Sequence, residues 1–184
     1  MGEIFILLAK ASIAVSLGLE SNFDLSKARE NYPILNENRA VFVTLRESNN
    51  QLRGCIGSLI AHRELYKDII ANAKSSAFND SRFKPLNQEE FKNINIEVSL
   101  LSKPIKVKYK SINDLKSQIK PNIDGVILEL NNNRATYLPS VWEELSNFDE
   151  FFSYLCKKAN LDSNCLENHP TISTYQAVKY REKK

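Results

Sequence analysis

The chain has 184 residues, 42% hydrophobic and 26% charged, a balance that excludes a disordered or fibrous protein and gives enough length to bury roughly 70% of its unfolded surface. Three cysteines, Cys55, Cys156 and Cys165, are too few and too scattered for a disulfide framework or a spaced zinc site, which points to a reducing compartment and a cytoplasmic location. The net charge is only +3, and the tail carrying Lys179, Arg181, Lys183 and Lys184 beside Glu182 supplies it, so the neutral body argues against nucleic acid as a partner.

The apolar N-terminal stretch is not a signal peptide, because Glu3 stands where a signal needs a basic residue and Lys10 interrupts the run. No clean uncharged span long enough for a membrane follows, so no membrane is expected. With a helical period, Ile4, Leu7, Leu8, Ala11, Ala14 and Val15 form a stripe, and Gly18 is placed to end the helix. Ala40 to Leu45 and Gln51 to Leu59 read as two strands joined by a hairpin connection over Glu47, Ser48, Asn49 and Asn50.

Arg63 to Phe78 reads as a helix with Leu65, Ile69, Ala73 and Ala77 buried at i+4 spacing. Ile94 to Leu101 alternates, which predicts a strand with Asn95, Glu97 and Ser99 on a wet face. Ile105 to Lys110 places Lys106, Lys108 and Lys110 on one side of a strand, the pattern of an edge protected by charge. Gly125 to Leu130 and Arg134 to Leu138 predict a second hairpin across Asn131, Asn132 and Asn133, since asparagine tolerates left-handed turns. Ser140 with Glu143 suggests a capping box, Phe148, Phe152, Leu155, Cys156 and Ala159 line a further helix, and Thr171 to Tyr180 reads as one closing strand. The irregular alternation of strands and helices favours an α+β fold with mostly antiparallel sheet.

The densest signal is Leu52-Arg53-Gly54-Cys55-Ile56-Gly57, which holds two of the five glycines inside an apolar strand that glycine weakens. Such glycines permit a bulge or the close approach of another backbone or a ligand. Strand alternation would set Arg53 and Cys55 on one face, where a guanidinium favours the reactive thiolate. Alternatively the glycines only shape a bend and Cys55 is a small buried hydrophobe. No cluster of His, Cys and Asp has ligand spacing, so neither a metal nor a cofactor is expected.

These six residues resemble the signature hexapeptide of the AMMECR domain family, whose prokaryotic members are called protein A of the AmmeMemoRadiSam system. Further stretches resemble it in order: Asp80 to Phe83 with Pro85-Leu86, Val98 to Ser102, Gly125 to Glu129, Arg134 to Pro139, and Lys158-Ala159. The resemblance spans roughly residues 4 to 180. Ser58 stands where Thr is usual, Asn131-Asn132 where Gly-Gly is frequent, and Ser140 where Gln or Glu is commoner. The family resemblance implies a single AMMECR-type domain over residues 1–184, two-lobed, with the larger lobe holding both termini, a smaller lobe from the middle of the chain, and the signature lining a cleft. It also implies Memo-type and radical-SAM proteins as partners in a modification or metabolic pathway of unsettled chemistry.

Two readings of the site follow. As an enzyme, the chain would use Cys55 as nucleophile on a small anionic substrate, Arg53 to favour the thiolate, and Glu97 or His62 as proton acceptor. As a binding module, it would present Arg53, Arg82 and Arg134 to a carboxylate, phosphate or partner tail, with Gly54, Ile56, Gly57, Ser58, Asp80, Thr136 and Tyr137 completing the surface. The three arginines are expected to converge, unless Arg82 and Arg134 merely fasten loops through Asp80 and Glu129. His169, beside Pro170, lies outside every matched stretch.

Overall fold

The structure is a computed structural model that describes residues 2–182. The chain divides into two compact units, one of Met1–Leu101 with Val178–Lys184 and one of Ser102–Ala177. Both combine helices with a four-stranded antiparallel sheet, an α+β fold. Among the described residues no helix is long and apolar enough to cross a membrane.

The first unit opens with helix α1 (Gly2–Ser16), which buries Phe5, Leu8, Ala9 and Ile13; of the expected stripe Leu8 and Ala14 are buried but Leu7 and Val15 are exposed, so the helix turns a different face to the core. It ends where expected: Gly18 adopts φ of 74°, and Leu19 N–H reaches back to the Ala14 carbonyl, as left-handed helix caps require. A short helix α2 (Leu25–Asn31) is capped by the Asp24 side chain. The sheet has the order β2-β1-β3-β8, built from β1 (Val41–Glu47), β2 (Leu52–Gly57), β3 (Ile94–Leu101) and β8 (Ala177–Arg181). Helix α3 (Leu65–Phe78) packs its Leu65, Ile69, Ala73 and Ala77 stripe into a core shared with Val41, Val43, Leu45, Ile96 and Val98. Asn87 caps the one-turn helix α4 (Gln88–Phe91) with a full capping box, Glu90 reaching back to the Asn87 N–H.

The second unit has the sheet order β4-β7-β5-β6, from β4 (Ile105–Lys106), β5 (Gly125–Leu130), β6 (Asn133–Tyr137) and β7 (Thr171–Tyr175). Helices α5 (Ile112–Gln118) and α6 (Phe148–Lys158) complete it, and Trp142, Phe151, Phe152, Leu155 and Leu128 fill its core. Asn131 turns the β5–β6 hairpin at φ of 55°, and the very short β4 sits on the sheet edge.

Four further expectations are corrected. The alternation of residues 94–101 does not mark a wet face: β3 lies between β1 and β8, and Glu97 and Ser99 are buried, Glu97 accepting a bond from Arg181. Residues 171–180 are two strands in different sheets, separated at Gln176, whose N–H and carbonyl both bond Ser102. The turn Pro139–Glu143 is a 3-10 helix led by Leu138 without a side-chain cap, so Ser140 and Glu143 make no capping box. Finally, Cys156 and Cys165 are joined in a disulfide, because Asn160 in a left-handed conformation reverses the chain after α6 and brings their Cα atoms to 5.8 Å.

Candidate functional site

The signature strand β2 is the edge of the first sheet, paired on one side with β1. Both structural roles open to its glycines are found. The register passes from Leu45↔Gly54 to Arg46↔Leu52 and skips Arg53, a β-bulge. At Gly54 a Cβ would lie 2.2 Å from the Ser76 backbone carbonyl oxygen, so α3 packs directly on the strand. At Gly57 the same atom would meet the Phe42 ring. The Ser76 hydroxyl stitches the hairpin, accepting from Ile56 N–H and donating to the Val43 carbonyl.

The bulge also undoes the simple alternation that would put Arg53 beside Cys55. The Arg53 side chain is only 6% exposed; its Nε and one Nη grip both Glu90 oxygens, at 3.0 and 3.2 Å, and the same Nη donates to the Lys84 carbonyl. This pairing holds the Glu90 carboxyl below the usual carboxylate range. The remaining Nη1 is buried with no hydrogen-bond partner among the described residues, an arrangement that ordinarily costs about 1–3 kcal/mol.

The arginine at Cys55 is instead Arg82. The Asp80 carboxylate accepts the Cys55 N–H at 2.9 Å, while Arg82 donates to the Cys55 carbonyl at 3.3 Å and to both Asp80 oxygens at 2.9 and 2.7 Å. Together they satisfy the outward peptide groups of an edge strand, much as another strand would. The Arg82 hydrogen bonds hold the Asp80 carboxyl far below its ordinary range. Asp80 is buried, but the Arg82 side chain is 54% exposed. Arg53 and Arg82 both come within cation-π range of Phe83, at 5.6 and 5.5 Å from the ring centroid.

Cys55 is the free cysteine of the chain and is partly exposed. Its sulfur lies 3.2 Å from the Thr44 hydroxyl, its cross-strand neighbour. Thr44 in turn faces Glu97 in the β1–β3 register, so Glu97 stands two strands away from Cys55 and pairs with Arg181. His62 is exposed, with Nδ1 2.9 Å from the Ile60 carbonyl. His169 stacks on Tyr109 in the second unit.

Ser58 enters a polar network missed in the sequence. The buried Asp68 carboxylate accepts from the Ser58 hydroxyl, Arg63 Nε, Val41 N–H and Asn72. Its signal was present, since Asp68, Asn72 and Ser76 follow the apolar stripe of α3 at i+3 and i+4 spacing.

Arg134, Thr136 and Tyr137 belong to the second unit. Arg134 pairs with Glu129 directly opposite on β5, at 3.3 Å and largely exposed. Thr136 hydrogen-bonds the Tyr175 hydroxyl, whose phenol burial pushes up, and Tyr137 packs edge-on against Phe151. Among the described residues no group of three or more His, Cys, Asp or Glu side chains is placed to hold a metal ion.

The profile of the AMMECR1 family matches residues 6–180. Protein SSO0193 of Saccharolobus solfataricus is 35% identical over 194 residues, covering 100% of this chain and 82% of that relative. A protein of Methanothermobacter thermautotrophicus is 33% identical over 174 residues, 94% of this chain and 90% of the relative. The crystal structure of the uncharacterized protein PH0010 from Pyrococcus horikoshii superposes with a TM-score of 0.74 at 30% identity, over 99% of this chain and 91% of that one. A profile spanning nearly the whole chain, with relatives of this similarity, means that the chain belongs to the AMMECR1 family.

Proposed function

We propose that this AMMECR1 protein is a binding component that acts with Memo-type and radical-SAM proteins, presenting the signature strand and Arg82 to an acidic group of a partner. One observation carries the reading: Asp80 and Arg82 lock the Cys55 peptide while leaving the guanidinium half exposed. A rigid strand edge with a preorganised, delocalised cation suits carboxylate or phosphate recognition, because little freedom is lost on contact. Catalysis by Cys55 has less support, since the group that meets the sulfur is a threonine hydroxyl and not a base.

The test is calorimetric titration of the full chain with purified Memo-type and radical-SAM proteins. Saturable binding is expected, retained by Cys55→Ser and weakened roughly tenfold by Arg82→Gln, which keeps a donor but removes the charge. Absence of binding to both proteins, or equal binding by Arg82→Gln, overturns the proposal. A second reading, a cysteine-dependent enzyme, rests on Cys55 being the free and partly exposed thiol, and a reaction abolished by Cys55→Ser would establish it.

A further inference from the structure

Strand β8 is the outer strand of the first sheet, at the edge away from the signature strand: β3 lies on one side of it and, among the described residues, no strand pairs with the other. Its setting in the ladder follows from Glu182, whose N–H donates to the Ile96 carbonyl. Antiparallel alternation then turns the peptide groups of Val178 and Tyr180 toward β3 and those of Lys179 and Arg181 outward. The two faces of the strand differ in chemistry. Tyr180 packs edge-on against Phe5 of α1, so Val178, two residues before it, stands on the helix side of the sheet, where it is 51% exposed. Arg181 reaches Glu97 on the other side with its side chain 67% exposed. Lys179 shares that side, exposed and with no hydrogen bond or ion pair for its ammonium among the described residues.

An open edge of this kind takes up an extended peptide through its main chain, and the flanking side chains decide which peptide. A second copy of β8 is disfavoured, because two-fold pairing would set Lys179 opposite a lysine or arginine of that copy, and like charges directly across a strand pair are destabilising. An acidic strand meets the reverse. Its carboxylates would fall beside Lys179 and Arg181 on one face while the intervening apolar residues cover Val178 on the other. We infer that β8 is a docking edge for an extended segment of a partner protein in which acidic and apolar residues alternate, added to the sheet as a fifth strand. The inference goes beyond the Arg82 reading, which concerns the other edge of the same sheet.

The experiment is amide chemical-shift titration of the full chain with three blocked hexapeptides: alternating glutamate and valine, alternating lysine and valine, and the glutamate peptide with every peptide nitrogen methylated, which cannot donate to the edge. The glutamate peptide is expected to shift the amides of residues 178–182 saturably, with the lysine peptide and the methylated peptide each roughly tenfold weaker or worse. Lys179→Glu should weaken the glutamate peptide by a similar factor while the melting temperature stays near that of the parent chain, because the side chain is exposed. No saturable shift up to about 10 mM overturns the inference. So does a lysine or methylated peptide that binds as well as the glutamate peptide, or a Lys179→Glu chain that binds normally. Shifts confined to residues 52–57 and 80–84 and lost in Arg82→Gln would place the acidic peptide on the signature edge and equally overturn it. The titration requires no partner protein, so its outcome is independent of the partner-binding experiment.

Discussion

Asp80 and Arg82 hold opposite ends of the Cys55 peptide, the carboxylate taking the N–H at 2.9 Å and the guanidinium giving to the carbonyl at 3.3 Å. Two residues of a loop thereby cap a sheet edge with side chains instead of a neighbouring strand. Asp80→Asn keeps an acceptor but loses the ion pair and one charge-assisted bond, and should cost about 1.5–3 kcal/mol in chemical denaturation at neutral pH.

The same pair sets an acid dependence. Arg82 lowers the Asp80 carboxyl, and Arg53 lowers that of Glu90, relative to their values in the unfolded chain. For a depressed carboxyl the native state releases its proton more readily, so the stabilisation is complete above the unfolded carboxylate range and is lost as pH falls through and below it. Melts taken from neutral pH down through that range should therefore fall more steeply for the parent chain than for Asp80→Asn, the two curves drawing together in acid. Parallel curves would contradict the assignment.

The signature glycines should respond unequally to alanine. At Gly54 the added methyl meets a helix carbonyl at 2.2 Å, which only a shift of α3 against β2 can relieve. At Gly57 it meets the Phe42 ring, an obstacle that can rotate. Gly54→Ala is expected to cost about 1–3 kcal/mol, the range of overpacked cores, and Gly57→Ala less. Urea unfolding of the two variants measures the difference, and equal costs would refute the packing argument.

Cysteine labelling distinguishes the three sulfurs. Iodoacetamide should modify Cys55 alone in the native, unreduced chain, while Cys156 and Cys165 become available only after reduction and unfolding. Peptide mass mapping reads this directly, and native labelling of Cys156 or Cys165 would contradict it.

Local periodicity made most elements legible: the end of α1 at Gly18, the α3 stripe at i+4, and the asparagine turn between β5 and β6 stand where the pattern put them, whereas the buried face of α1 runs through Phe5, Ala9 and Ile13 and leaves Leu7 and Val15 of the expected stripe exposed. What stayed hidden depends on partners distant in the chain. The bulge that separates Arg53 from Cys55 exists only relative to the β1 register, and the buried Glu97 has its partner in Arg181, 84 positions away. No glycine or proline marks the break at Gln176, where the chain leaves one sheet for the other. The Cys156–Cys165 bond required the reversal at Asn160, a conformation asparagine permits but does not announce. Arg53 was legible as an unusual residue, but its partner Glu90, 37 positions away, was not.

That partner changes what a conservative substitution at Arg53 should do. Guanidinium atoms Nε and Nη2 engage both Glu90 oxygens while Nη2 also reaches the Lys84 carbonyl, a planar arrangement no ammonium can reproduce. Arg53→Lys therefore leaves Glu90 and the Lys84 carbonyl incompletely paired beside a buried stem, and should destabilise the first unit by about 2 kcal/mol. Arg134→Lys offers the control: its pair with Glu129 is largely exposed, spans one cross-strand position, and is worth at most about 0.5 kcal/mol. Thermal melts of both variants read the contrast. A lowered melting temperature for Arg53→Lys with an unchanged one for Arg134→Lys is expected; equal and negligible effects would mean that the Arg53–Glu90 pair does not fasten the signature strand to α4.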